Sequence, residues 1–104
     1  MPNLKLRETE VFASWLERLR DPLAKSHVIR RLARARMGNF GDVAPVGEGI
    51  SEMRIHEGAG YRVYYTREND VVYLLLCGGD KKSQTRDIAA AKRLWGELKG
   101  SAVK

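Results

Sequence analysis

The chain has 104 residues, 43% hydrophobic and 31% charged, which fits one folded domain with a single modest core and excludes intrinsic disorder as the default. Nineteen Lys and Arg stand against thirteen Asp and Glu, and the resulting net charge of +6 favours a polyanionic partner, nucleic acid or an acidic protein. A single cysteine, Cys77, excludes an internal disulfide and fits a reducing compartment.

The opening MPNLKLRETE has no apolar signal core, and the longest purely apolar run, Val71 to Cys77, is too short to cross a bilayer. A cytoplasmic location without membrane contact is therefore expected. Asn3 to Arg7 alternates and predicts a first strand with Leu4 and Leu6 on one face. Thr9 can cap a helix whose apolar residues fall at Phe12, Trp15, Leu16 and Leu19. Asp21-Pro22 ends that helix and opens a second, which runs to about Met37 and stops at Gly38. Its expected buried stripe is Val28, Ile29, Leu32 and Ala35, and so short a connection predicts an antiparallel helical hairpin.

Asn39 to Gly49, rich in Gly and Pro, reads as a loop. In the strand after it, Met53 and Ile55 share one face, and Glu52, Arg54 and His56 the other. A turn at 57–60 leads to the strand Tyr61 to Thr66, with Tyr61, Val63 and Tyr65 on one face and Arg62 and Tyr64 on the other. After a turn at 68–70, Val71 to Cys77 has no polar face and predicts a central strand covered on both sides. A last helix, roughly Thr85 to Lys99, carries Ile88, Ala91, Leu94, Trp95 and Leu98 at helical spacing. The order β-α-α-β-β-β-α predicts an α+β domain over 1–104: a helical hairpin packed on a mostly antiparallel four-stranded sheet, with a C-terminal helix.

Arg54 and Arg62 are the sharpest candidates for chemistry. A hairpin that pairs them on one face projects two planar guanidinium forks, a geometry suited to phosphate, although a solvated sheet face carries the same charges. His56 shares the parity of Arg54 and can exchange a proton near neutrality, as a ribonuclease requires; it can equally be an ordinary turn residue. Lys81 and Lys82 follow Gly78-Gly79-Asp80, where glycines permit close approach of a ligand or simply a tight strand-to-helix turn. Gln84 and Arg86 open the last helix, whose free N–H groups can add to an anion site, and Tyr64 could stack on a base. Lys25, Arg30, Arg31, Arg34 and Arg36 make the second helix basic, either as its solvated side or as a surface that docks on RNA. Cys77, His27 and His56 supply no metal-ligand spacing, and neither a phosphate loop nor a dinucleotide fingerprint is present, so no cofactor is expected. Cys77 reads as a small buried hydrophobe.

The segments GDVAPVGEGISEMRIHEGAGYRVYY, LLLCGGDKKSQTRDI and AAAKRLW closely resemble the phage-derived addiction-module killer proteins, HigB-like toxins of type II toxin–antitoxin systems within the RelE/ParE superfamily. The resemblance spans nearly the whole chain. It implies a RelE-like fold, a HigA-like helix-turn-helix antitoxin as partner, and cleavage of mRNA on the ribosome. It also implies that Arg62, in the GYR segment, stabilises the reacting phosphate, with Arg54 and Lys81 or Lys82 acting around it. The chain departs from RelE in having no tyrosine near the start of the last helix, and lacks the multiple histidines of some other HigB toxins, so the general acid and base stay open among Lys81, Lys82 and His56. The expected activity is a metal-independent endoribonuclease that stops translation and growth. The alternatives are a ParE-like gyrase poison and a non-catalytic antitoxin-binding module.

Overall fold

In the computed structural model, which describes residues 3–103, the elements run β1 (Lys5–Glu8), α1 (Glu10–Arg18), α2 (Pro22–Arg36), β2 (Val43–Gly47), β3 (Ile50–Ile55), β4 (Tyr61–Arg67), β5 (Val72–Gly79) and α3 (Gln84–Val103). They build one mixed sheet in the order β1-β5-β4-β3-β2. β1 lies parallel to β5, and the other pairings are antiparallel.

The sheet has five strands where the sequence predicts four. The extra one, β2, lies inside the expected Asn39–Gly49 loop. It survives its proline because it is an edge strand, where a missing N–H breaks no interior ladder. Ala44 and Val46 are half-buried while Val43, Pro45 and Gly47 face solvent, an alternation that the Gly and Pro content conceals. Glu48, at φ 56°, and Gly49, at φ 78°, turn the chain back into β3.

Each helix starts where its sequence can satisfy the free N–H groups. The Thr9 side chain accepts from Phe12 N at 3.0 Å and donates to Leu76 O at 2.7 Å, fixing the start of α1 on β5. Asp21 accepts from Leu23 N and Ala24 N, with Pro22 in the first turn of α2. α2 ends at Gly38, whose φ of 91° needs no Cβ penalty and whose N–H bonds Ala35 O. α3 begins one residue earlier than predicted, after reciprocal bonds between Asp80 and Ser83.

Strand alternation sorts the apolar side chains into two cores. On one face Met53, Ile55, Val63, Tyr65 and Leu75 pack with Phe12 of α1 and Val28, Leu32 and Ala35 of α2. On the other, Ile50, Tyr64, Leu74, Leu76 and Cys77 pack with Ala91 of α3, joined by Ile88, Leu94, Trp95 and Leu98. β5 is thus covered on both sides, as its unbroken apolar run implies. A bulge opposite Tyr64 and Tyr65 lets Leu76 and Cys77 both serve the α3 face. The buried stripe of α2 is Ala24, Val28, Leu32 and Ala35. Ile29, expected in it, is 49% exposed, because it sits about 100° around the helix from Val28. No described helix is long and apolar enough to cross a membrane.

Candidate active site

Arg54 and Arg62 face each other directly across the β3–β4 ladder. Two like charges in register on neighbouring strands repel and would weaken the hairpin. Glu52, one pleat away on the same face and 1% exposed, offsets this: its carboxylate lies 3.1 Å from Arg54 Nε through Oε1 and 3.3 Å from Arg62 Nε through Oε2. The first contact is a hydrogen bond. The second is an ion-pair contact at an angle that makes none, which leaves Arg62 Nε buried with no hydrogen-bond partner among the described residues. Arg62 Nη1 also donates to Gly60 O at 3.3 Å. Two neutral donors complete the surroundings of Glu52: Gln84 Nε2 at 2.7 Å and the Tyr64 hydroxyl at 3.3 Å.

The arginines open into a cleft of about 330 Å³ between the end of β3, the 57–60 turn and the start of β4. Arg54, His56, Arg62 and Lys81 all line it, with Tyr61 and the Gly58-Ala59-Gly60 backbone as one wall. Lys81 joins them because β5 ends beside the start of β4, with Gly79 opposite Arg62, and two residues further on Lys81 N approaches Ala59 O at 3.5 Å. Gly60 adopts φ 74°, a left-handed conformation that favours glycine, and packs against the Lys81 stem. At the rim, His56 Nε2 is 2.6 Å from Asp42 Oδ2, while Asp42 Oδ1 is 3.7 Å from Arg54 Nη1. The bond to His56, with the nearby charge of Arg54, holds the Asp42 carboxyl below its ordinary range. A second imidazole–carboxylate pair, His27 with Glu57 at 3.3 Å, ties α2 to the 57–60 turn.

Several expected site residues lie elsewhere. Lys82 lines a separate depression with Asp80, Ser83 and Arg86. Tyr64 cannot stack on a base, because α3 covers its ring completely; burial and the adjacent Glu52 push its hydroxyl above the tyrosine range. Gln84 is spent on Glu52, and so is not a free RNA contact. Arg31 reaches inward from α2 to the carbonyls of Arg54 and of Phe40, the latter at 2.9 Å, and is a structural strut for the chain entering β2. Burial, and then Arg34, draw its guanidinium below the usual arginine value. Arg30 and Arg34 are exposed on α2 and do not line the cleft. Burial pushes the Cys77 thiol up to about 12, with Asp87 adding to the effect, so it is no nucleophile at neutral pH. Among the described residues, no group of three His, Cys, Asp or Glu is placed to hold a metal ion.

Sequence reasoning missed Glu52 and Asp42 as parts of the site. Glu52 gave one signal, since it shares the face of both arginines; Asp42, in a presumed loop, gave none.

No protein-family model matches the chain. An uncharacterized protein of Haemophilus influenzae is 47% identical over 95 residues, which cover 91% of this chain and 96% of that protein. The chain belongs to the same family as that protein. Among solved structures, a double arginine-to-alanine variant of the Escherichia coli toxin RelE in its free state matches with a TM-score of 0.67. That match covers 88% of this chain and 98% of the other at 14% identity, so the architecture is the RelE fold.

Proposed function

We propose that the chain is the toxin of a type II toxin–antitoxin system, a HigB-like member of the RelE/ParE superfamily that cleaves mRNA in the ribosomal A site. The observation that carries the reading is the gathering of Arg54, Arg62, Lys81 and His56 around one cleft on the sheet. The RelE fold and the resemblance of the GYRVYY and LLLCGGDK segments support it.

The chemistry suits a site made of cations and one imidazole. The 2′-hydroxyl of the RNA attacks the adjacent phosphorus as its proton passes to a base. The bond from phosphorus to the 5′-oxygen breaks, and that oxygen takes a proton. The products are a 2′,3′-cyclic phosphate and a 5′-hydroxyl, with no protein nucleophile and no metal required. Arg62 and Arg54 hold the charge that develops on the pentacovalent phosphorane, where fixed donors in a low-dielectric site act most strongly. Arg62 is the more enclosed of the two, at 12% side-chain exposure against 39% for Arg54. His56, held by Asp42 through one ring nitrogen, keeps the other for proton transfer, and Lys81, which lines the same cleft, is the second proton-transfer group. Arg30, Arg34, Lys82 and Arg86 are the outer cations through which the chain meets ribosomal or messenger RNA. A cognate HigA-like helix-turn-helix antitoxin silences the toxin, and an acidic segment laid over the cleft is the complementary way to do so.

The test is induced expression in a bacterial host with mapping of mRNA 5′ ends before and after induction. New ends within translated frames, absent with Arg62→Ala, are the expected result. Growth arrest without new ends points to gyrase or another protein target. No arrest and no new ends leave a non-catalytic antitoxin-binding module.

A further inference from the structure

We infer that Glu52 is a positioning residue that keeps the two cleft arginines oriented and partly neutralised, so that the site binds RNA more weakly than its cations allow and cleaves it faster. The inference rests on the nuclease reading above. Glu52 is 1% exposed, and groups from three elements converge on its two oxygens: Arg54 Nε from β3, the Tyr64 hydroxyl from β4 and Gln84 Nε2 from α3 donate hydrogen bonds, and Arg62 Nε from β4 makes an ion-pair contact at 3.3 Å. A buried carboxylate is costly unless its surroundings compensate it, and this one is held by two guanidinium groups and two neutral donors.

The geometry divides each guanidinium in two. Its Nε side faces Glu52, while its terminal nitrogens are left toward Asp42 for Arg54 and toward Gly60 O for Arg62, both at the cleft. One negative charge shared between two positive ones leaves the pair with a net charge of +1. Ground-state phosphate binding is weakened accordingly, since it follows net charge. Transition-state stabilisation depends instead on donors that are already aimed, and Glu52 supplies that aim. A merely structural carboxylate makes no such division between binding and chemistry.

Two substitutions separate charge from position. Glu52→Gln keeps the shape and the acceptor for Gln84 but removes the charge and points an amide N–H₂ toward an arginine. Glu52→Asp keeps the charge but shortens the reach. The binding probe is a fluorescent single-stranded RNA oligonucleotide with 2′-O-methyl groups, which cannot be cleaved, titrated at several salt concentrations. Cleavage is read as single-turnover rates on mRNA-programmed ribosomes, and folding by circular dichroism.

For Glu52→Gln we expect affinity tighter by roughly 3–10-fold with a steeper salt dependence, together with cleavage slower by roughly 10–100-fold. For Glu52→Asp we expect unchanged affinity and slower cleavage. If Glu52→Gln does not fold, Glu52→Asp decides alone: cleavage at the wild-type rate overturns the inference. Glu52→Gln binding no tighter than wild type also overturns it and leaves Glu52 a structural residue. A wild-type protein that cuts nothing on programmed ribosomes defeats the nuclease reading, whereas one that cuts there but has no affinity for the oligonucleotide leaves that reading standing and overturns the inference alone.

Discussion

His56 Nε2 and Asp42 Oδ2 stand 2.6 Å apart at the mouth of the cleft, joining the end of β3 to the segment that leads into β2. The bond to His56 is the main reason the Asp42 carboxyl is held below its ordinary range. Because the folded-state value lies below the unfolded one, the stability this group contributes is fully present above the unfolded value of about 3.9. It fades as pH falls through the lower, folded-state value. Wild type should therefore be more stable than Asp42→Asn near neutrality, and the gap should close in strong acid. Urea unfolding across that range measures it; a gap of constant size would show that Asp42 acts through something other than its charge.

Trp15 lies flat enough on β5 that a Cβ at Gly78 would stand 2.4 Å from the nearest ring atom. The same ring tilts against Phe12 at 5.7 Å and Tyr61 at 6.5 Å, and Tyr61 is a wall of the cleft. Gly78→Ala should force the indole outward and cost about 1–3 kcal/mol, in the usual range for overpacking. Denaturant unfolding followed by tryptophan fluorescence gives the number. Combining it with Trp15→Phe should recover part of the loss, since residues in contact do not add; strictly additive losses would show that the indole is not the obstacle.

Arg31 shares a basic helix with Arg30 and Arg34 but does different work, holding the backbone of Phe40 and Arg54 with its fork. A lysine keeps the charge and loses the two-pronged reach. Arg31→Lys should destabilise the fold by roughly 1–3 kcal/mol, the range for hydrogen bonds to charged groups. Arg30→Lys and Arg34→Lys, at exposed positions, should stay within about 0.5 kcal/mol. Equal effects at all three positions in thermal or urea unfolding would remove the strut role.

The face of each strand was legible in the sequence, whereas the cover over that face was not. Period-two alternation places Arg54, Arg62 and Tyr64 on one side correctly, and the register then brings the arginines opposite each other. Alternation cannot say how far α3 extends across that side. The helix buries Tyr64 and Glu52 yet leaves the far end of the same face open at Arg54. β2 was hidden for a related reason: an edge strand tolerates the Pro and Gly that signal a loop elsewhere. The meeting of Lys81 with the arginines follows from the antiparallel pairing of β4 with β5, which sets Gly79 opposite Arg62, and periodicity within one strand does not encode that register.

Arg54 and Arg62 look equivalent in the ladder, but their surroundings predict unequal tolerance to change. Arg62 is confined: its Nε is buried beside Glu52 and its Nη1 is held by Gly60 O. A lysine there cannot reproduce two directions at once, and its ammonium would have to meet Glu52 or the cleft. Arg54 also bonds Glu52 through Nε, but it is three times as exposed and touches Asp42 only loosely, at 3.7 Å, so a lysine has the space to reach the phosphate from that position. On the nuclease reading, Arg62→Lys should lower the single-turnover cleavage rate by roughly 10²–10³-fold, the loss typical of a fixed transition-state donor. Arg54→Lys should cost no more than about 10-fold, or about 1.4 kcal/mol of transition-state stabilisation. Equal losses at the two positions would mean that the cleft uses the arginines as diffuse charge, and that the enclosure of Arg62 has no part in the chemistry.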